Sequence, residues 1–482
     1  MSKNDYQMTI GIECHVQLKT KTKLFSGASN DDRDTKPNTV VNHIDFGLPG
    51  ALPVLNEKAV ELATRAAFAL STRPQKFSKF DRKHYFYPDL PMGYQISQYD
   101  YPVIAGGHVE FEVDGRPHTV NITRAHLEAD AGKSVHPEKG NFSLIDLNRA
   151  GTPLLEIVSE PEMHSSKEAR NYAKQLQLLM LYAGVSEANL FYGNMRFDVN
   201  VSVSKTKELG TRAEIKNLNS FRAVERAIDY EFNRQVELLE NGEKIVQETR
   251  GYSDSTGKTY SLRTKENADD YRYMPDPDLP PVILADDYIE RIAGNMPKLP
   301  NEWFAELKGK SVPSDMASIL IENEAQSESR NLEGLVKLDN AQAKTFAAWV
   351  CNIEIPLRDT TEVKLSDSSR YEMYGQVQAL IKNTKLSSTN AKALIIHCLT
   401  NNVSKDLEGV AKSLNLIQES NEDLLIEIVD KVITANPKAA EDIKNGETKA
   451  IGFLVGQVMK ESRGQANPGI VNALIAKRLD LK

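Results

Sequence analysis

The side chains best placed to do chemistry lie almost at the start of the chain. In Met8-Thr-Ile-Gly-Ile-Glu-Cys-His-Val-Gln-Leu18 the apolar Ile10, Ile12, Cys14, Val16 and Leu18 alternate with Glu13, His15 and Gln17. A period of two is the strand repeat, so a carboxylate and an imidazole share one face while the other packs inward. Groups two apart on a strand stand about 6.5–7 Å from each other, near enough for both to lean onto one cation or one substrate group. His126, Glu128 and Asp130 alternate in the same way within Arg124–Asp130, as do Arg196, Asp198, Asn200 and Ser202 within Met195–Val203, and Arg212, Glu214 and Lys216. A lone Glu156 interrupts the apolar run Leu154-Leu-Glu-Ile-Val158. A solvated sheet face is the ordinary account of alternation. It does not suit Glu156, nor Glu13 and His15 in a strand with almost no other charge. Unpaired buried charges are too costly, so these groups must meet each other or a cation.

Positioning them calls for a β-rich first part. Gly107–Val113 and His118–Thr123 flank an Asp114-Gly115 hairpin turn, Phe142–Leu147 follows a turn at Lys139-Gly140, and strands recur at Asn194–Val203 and Thr211–Lys216. A helix is expected from about Phe221 to Leu239, capped by Asn219 or Ser220 and stopped by Asn241-Gly242. After Met274-Pro-Asp-Pro-Asp-Leu-Pro-Pro281 the pattern turns helical, with no further strand expected. The fold class is therefore α+β: a β-rich domain over 1–293, a helical domain over 294–405 and a small helical tail over 406–482.

With 482 residues, 40% hydrophobic and 26% charged, the chain is too long for one core and ordinary for a globular protein. No run of eighteen apolar residues occurs and the first strand begins at Met8, so neither a membrane span nor a signal is expected, and a cytoplasmic location is. Cys14, Cys351 and Cys398 lack CxxC spacing, which speaks against disulfides or a cysteine zinc site. Eight of nine histidines fall in the first 164 residues, so histidine chemistry belongs there. Ala131-Gly-Lys-Ser134 ends like a phosphate-binding loop, but Leu127 stands where its first glycine must be. GxGxxG at a strand-to-helix turn, HExxH and GxSxG are missing too, so any nucleotide would be handled on a sheet by metal and basic side chains.

The segment Phe80-Asp-Arg-Lys-His-Tyr-Phe-Tyr-Pro-Asp-Leu-Pro-Met-Gly-Tyr-Gln-Ile-Ser-Gln98 closely resembles a signature of the B-subunit family of aspartyl/glutamyl-tRNA amidotransferases. In order, Gly11–Leu18, Gly47–Pro53, Arg124–Asp130, Asp146–Val158, Thr211–Asn219 and Tyr271–Pro281 also resemble it, as do Phe453–Lys460 and Ala466-Asn-Pro468. The resemblance implies a β-rich cradle that holds the site, a helical domain, and a tail that grips tRNA. It implies ATP- and Mg²⁺-dependent phosphorylation of the side-chain carboxylate of Glu-tRNA(Gln), and of Asp-tRNA(Asn) as an open option, then displacement of phosphate by ammonia. A carboxylate is a poor electrophile, so activation must come first and its charge must be neutralised.

By motif position, Glu13, His15, Glu128 and Glu156 are the implied catalytic and metal-holding residues. Mg²⁺ prefers oxygen, so the histidine leaves Mn²⁺ open. Arg82, Lys83, Tyr85 and Tyr87 are implied nucleotide or aminoacyl contacts, with packing the alternative for each. No glutaminase nucleophile is visible, since Cys14 lies on the apolar face, so ammonia must come from a partner. The family implies a glutaminase A subunit for that role, with the C subunit joining them in a heterotrimer. Where many members carry zinc-binding cysteines this chain has Ser26, Ala28, Asn42 and Asp45, so no structural zinc is expected.

Net charge is −8, yet residues 438–482 hold eight Lys or Arg against five Asp or Glu, a local +3. Lys460, Arg463, Lys477 and Arg478 are the implied phosphate contacts, against the plain alternative of a solvated helical surface. Two other functions stay open from the residues alone. One is a metal-dependent hydrolase, which would need neither ATP nor partners. The other is a catalytically silent RNA-binding scaffold, for which four retained acid and imidazole groups would have no use.

Overall fold

The computed structural model describes residues 5–137, 140–264, 271–326, 331–418, 422–444, 449–462 and 466–479. The chain divides into two compact units, Met1–Asn301 and Glu302–Lys482. Among the described residues the strands lie in the first and the second is helical, which makes the fold α+β.

In the first unit, the strands that position the site are β1 (Gln7–Gln17), β2 (Asp81–His84), β3 (Tyr94–Ser97), β4 (Ile104–Ala105), β5 (His108–Val113), β6 (Arg116–Ala129), β7 (Pro153–Ser159), β8 (Met195–Ser204), β9 (Ala213–Leu218), β10 (Glu248–Ser253), β11 (Lys258–Thr264) and β12 (Met274–Pro275). Nine form one sheet among the described residues, in the order β11-β10-β9-β8-β1-β7-β6-β4 with β5 paired on β6. A smaller sheet runs β12-β2-β3. The register sets His15 opposite Glu156 on one side and Arg196 on the other, and Glu156 opposite His126. One row of polar side chains therefore crosses four central strands.

The opposite face is apolar because of the alternation in β1: Ile10, Ile12, Cys14, Val16 and Leu18 are at most 1% exposed. They share one core with Leu62 and Ala66 of α1 (Glu57–Ala69), Leu176 and Met180 of α2 (Ser166–Tyr182) and Val224 and Ile228 of α3 (Phe221–Glu240). Each large aliphatic side chain buried there contributes about 1.5–3 kcal/mol. The helices start where a side chain can take their unbonded N–H groups. Asn56 accepts from Lys58 N and Ser220 from Ala223 N, while Ser165 accepts from Glu168 N as Glu168 accepts from His164 N. Asn241 caps α3 and Gly242 follows at φ +77°.

The hairpin between β5 and β6 turns through Asp114 (φ 50°) and Gly115 (φ 76°), the two positive values that a two-residue turn of matching twist requires. One expectation needs correction. A two-residue strand, Val282–Ile283, follows the proline-rich segment and pairs with Phe77–Ser78. It is too short to show any periodicity.

Helices then follow: α4 (Asp286–Ala293), α5 (Pro300–Gly309), α6 (Ser314–Gln326), α7 (Asn331–Val336), α8 (Asn340–Trp349), a π-turn at Val350–Glu354, α9 (Ile355–Arg358), α10 (Asp367–Lys382), α11 (Ser388–Asn401), α12 (Leu407–Ser413), α13 (Glu422–Ala435), α14 (Pro437–Lys444), α15 (Lys449–Glu461) and α16 (Pro468–Arg478). Glu354, fully buried in the π-turn, accepts from Arg358, Arg370 and Tyr374. The segment carrying α12 is tied to α10 and α11 through Lys385–Glu408 (2.8 Å), Asn390 Nδ2 to Leu416 O (2.7 Å) and Gln418 N to Lys385 O (2.8 Å). Beyond it, Leu425, Val429, Leu454, Val458, Val471 and Ile475 form a core of their own.

Candidate functional site: an acid–imidazole cluster facing unpaired cations

Three of the four expected acid and imidazole residues converge. His15 Nδ1 lies 3.4 Å from Glu128 Oε1 and 3.9 Å from Glu156 Oε2, and one ligand atom from each of the three falls within 4.8 Å of the others. His126 Nε2 is 3.6 Å from both carboxylates, and His15 Nε2 is 3.8 Å from Asp198 Oδ2. His15 Nδ1 is shielded from solvent and makes no hydrogen bond. A buried nitrogen left without a partner between two carboxylates has the donor set of a small divalent-cation site. Glu13 stands on the same face but outside that group, where it accepts from Asn200 Nδ2 at 3.0 Å.

The electrostatics follow from burial and charge. Burial disfavours the His15 cation, but the carboxylates of Asp198, Glu128 and Glu156 that face the ring outweigh it, so in the absence of metal the imidazole is held well above its usual range. Burial likewise works against Glu128, yet His126 and His15 keep it well below the carboxylate range. Glu13 shifts the other way, raised by burial and then by Glu156, Glu214 and Asp198. Asp198 is lowered against burial by Lys216, which it meets at 2.7 Å.

A cavity of about 220 Å³ opens over this row, lined by Glu13, His15, Arg124, His126, Glu156, Glu214, Lys216 and Thr249 of the large sheet together with Lys83, Gln98, Tyr271 and Tyr273. The small sheet supplies Lys83, and Gln98 follows directly after its strand β3. Ile96 packs it into the shared core, and two glutamines bind it to β6: Gln95 Nε2 donates to Ala129 O (2.8 Å), and Gln98 Oε1 accepts from Leu127 N (3.0 Å). Side-chain amides thus close the edge of β6 where β4 no longer reaches.

The expected nucleotide contacts separate. Lys83 reaches the cavity, lying 4.8 Å from the Tyr271 ring centre and 6.0 Å from that of Tyr85. Arg82, its neighbour on a strand, points the other way and pairs with Asp276 (2.9 Å) and Asp278 (2.8 Å). Tyr87, Tyr85, Tyr271, Tyr273 and Tyr99 form a chain of ring contacts with centres 4.1–6.3 Å apart, ending in the stacked pair Tyr99–Tyr273. Burial pushes the Tyr273 hydroxyl up to about 12.

At the positions compared with zinc-binding cysteines the structure has a buried ion pair. Asp45 Oδ2 takes Lys23 Nζ (3.2 Å), Ser26 Oγ (3.1 Å) and Asn42 N (2.9 Å). In the tail, Lys460 and Lys477 are exposed, Arg478 pairs with Asp430 at 2.8 Å, and Arg463 lies outside the described residues.

Site residues beyond those expected are Gln98, Arg124, His126, Asp198, Glu214, Lys216, Tyr271 and Tyr273. Strand alternation already put four of them, His126, Asp198, Glu214 and Lys216, on polar faces. Gln98 gave no such signal, because its place depends on an edge 29 residues further along the chain.

Comparison with known proteins gives the family. A family model described as the GatB/GatE catalytic domain matches residues 8–290, and a second, the GatB domain, matches residues 330–479. Proteins named as the B subunit of aspartyl/glutamyl-tRNA(Asn/Gln) amidotransferase are similar over nearly the whole length. The one from Carboxydothermus hydrogenoformans is 43% identical over 487 residues, covering 98% of this chain and 99% of its own. Those from Alkalilimnicola ehrlichii and Thioalkalivibrio sulfidiphilus are 44% and 45% identical, covering 99% and 98% of this chain and all of their own. With its catalytic-domain match spanning more than half the sequence, the chain belongs to the B-subunit family of the aspartyl/glutamyl-tRNA amidotransferases.

Proposed function

We propose that this chain is the carboxylate-activating subunit of a tRNA-dependent amidotransferase, an ATP-dependent carbon–nitrogen ligase acting in protein synthesis. Its substrate is a misacylated tRNA, Glu-tRNA(Gln) with Asp-tRNA(Asn) as the shorter homologue. The side-chain carboxylate takes the terminal phosphoryl group of ATP, ADP leaves, and ammonia then displaces phosphate to give the amide. Ammonia comes from a glutaminase partner, the A subunit, while the small C subunit makes the complex a heterotrimer.

The observation that carries this reading is the convergence of His15, Glu128 and Glu156 in the cavity that also receives Lys83. Those three residues would hold Mg²⁺, or Mn²⁺ given the imidazole, and the metal would supply charge neutralisation for phosphoryl transfer. Glu13 orients from the flank through Asn200, and His126 fixes both carboxylates from the β6 side. Lys83 adds a cation at the aminoacyl or nucleotide end, with Tyr85 and Tyr87 in the aromatic chain beside it. Arg82, engaged by Asp276 and Asp278, secures the small sheet and acts on the site only through it. Lys460, Arg463, Lys477 and Arg478 are the proposed tRNA phosphate contacts of the tail, and the complex works in the cytoplasm.

The test is amide formation on Glu-tRNA(Gln) with ATP, Mg²⁺ and ammonium chloride, using this chain assembled with cognate A and C subunits whose glutaminase is disabled. Product should depend on ATP and fall at least ~100-fold in Glu128→Gln, the scale expected when charge stabilisation of a transition state is lost. Hydrolysis of an ester without ATP, or no turnover from a fully assembled complex, would sink the reading.

A further inference from the structure

Four cations stand in the cavity or at its edge, and they divide into two classes. Lys216 is neutralised by Asp198 at 2.7 Å and Glu214 at 3.1 Å, and Arg196, at the edge of the same face, by Asp130 at 2.8 Å. Lys83 and Arg124 form no ion pair among the described residues. Arg124 Nε is shielded from solvent and has no hydrogen-bond acceptor. Such a group is costly to keep unless something supplies the acceptor.

Gln98, 2% exposed and lining the same cavity, has a second unused donor. Its Oε1 accepts from Val103 N (3.1 Å) and Leu127 N (3.0 Å), while its Nε2 has no partner. Two backbone donors on the oxygen fix which way the amide faces, since a flip would set NH₂ against two N–H groups. Arg124, His126 and Glu128 alternate on one strand face, so the Cα atoms of Arg124 and Glu128 are about 13 Å apart. Of these three, Glu128 of the metal-type cluster stands at one end and Arg124 at the other.

Resting on the function proposed above, we infer that Arg124 and Gln98, with Lys83 beside them, receive the side-chain carboxylate of the aminoacyl group. A planar guanidinium and a fixed amide donor match the two oxygens of a carboxylate. A polyphosphate would instead be drawn to a cation held by His15, Glu128 and Glu156.

The assembled complex is tested in two ways: affinity for Glu-tRNA(Gln) and for uncharged tRNA(Gln) without ATP, and KM for ATP in the amidation assay. Arg124→Ala should weaken Glu-tRNA(Gln) binding roughly ten- to a hundred-fold, the scale of lost charged hydrogen bonds, while uncharged tRNA binding and KM for ATP stay within about two-fold. Arg124→Lys keeps the charge and should fall between. Gln98→Glu is the fold-preserving variant, because it still accepts from Val103 and Leu127. It puts an anionic oxygen beside Arg124 and should also weaken Glu-tRNA(Gln) selectively. A rise confined to KM for ATP would overturn the inference and assign Arg124 to the nucleotide. Equal losses for charged and uncharged tRNA, or no change, would overturn it too. Should wild type itself make no amide, the underlying function fails with it, and that outcome is distinct from an active enzyme with indifferent variants.

Discussion

At the residue scale, the first unit shows two ways of keeping a charge inside a protein. Lys23, fully buried, is held by Asp45, and burial lowers its pKa against that pairing. Asp45→Asn leaves the ammonium without a counter-charge, so we expect a loss of about 3–5 kcal/mol, the usual cost of breaking a buried pair. Hydrogen exchange of peptides from Gln7–Leu18 should report it as reduced protection, and the double change Lys23→Met with Asp45→Leu should recover most of it. Much of the candidate site was legible at this scale, because strand alternation alone put Glu13, His15, Glu128, Asp198, Glu214 and Lys216 on polar faces. The same rule separates Lys83 from Arg82, since neighbours on a strand face opposite ways. Gln98 was illegible: an amide in Gln-Ile-Ser-Gln98 acquires meaning only from the N–H of Leu127.

At the element scale, helix starts were written locally. Ser220 and Asn241-Gly242 bound α3 close to where a capping rule puts them. Very short strands were not readable, because two residues carry no period, and Val282–Ile283 exists only through Phe77–Ser78. The π-turn at Val350–Glu354 was equally hidden, although Pro356 two residues beyond lacks the N–H that a regular turn would use. Its energetic centre is Glu354, which gathers Arg358, Arg370 and Tyr374 in the interior. Glu354→Ala would leave Arg370, 1% exposed, with Asp367 as its remaining counter-charge and the Tyr374 hydroxyl without its acceptor. A loss of about 1–3 kcal/mol is expected. Trp349, stacked on Phe346 with ring centres 5.5 Å apart, should show it as a lower-temperature fluorescence transition.

At the scale of the whole molecule, charge and folding are distributed unevenly. The chain carries −8 overall, but its last 45 residues carry +3, and the tail helices have their own core from Leu425 to Leu479. Ending the chain after Gln418 removes that core while retaining the hydrogen bonds of the α12 segment with α10 and α11. We expect such a truncation to leave strand protection in the first unit intact and to weaken tRNA binding. Each phosphate no longer neutralised should take about 0.7–0.9 from the slope of log affinity against log salt. Unchanged affinity across salt would refute tail binding. Among the described residues no helix is long and apolar enough to cross a membrane.

The two glutamines at the edge of β6 have a consequence for the life of the protein outside its catalytic cycle. An open strand edge is a template on which another chain can add itself. Here Gln95 and Gln98 occupy the Ala129 carbonyl and the Leu127 amide, so two of the groups another strand would need are already taken. Gln95→Ala with Gln98→Ala should therefore raise the rate of aggregation at moderate temperature, as measured by light scattering, before it lowers the amount of folded protein.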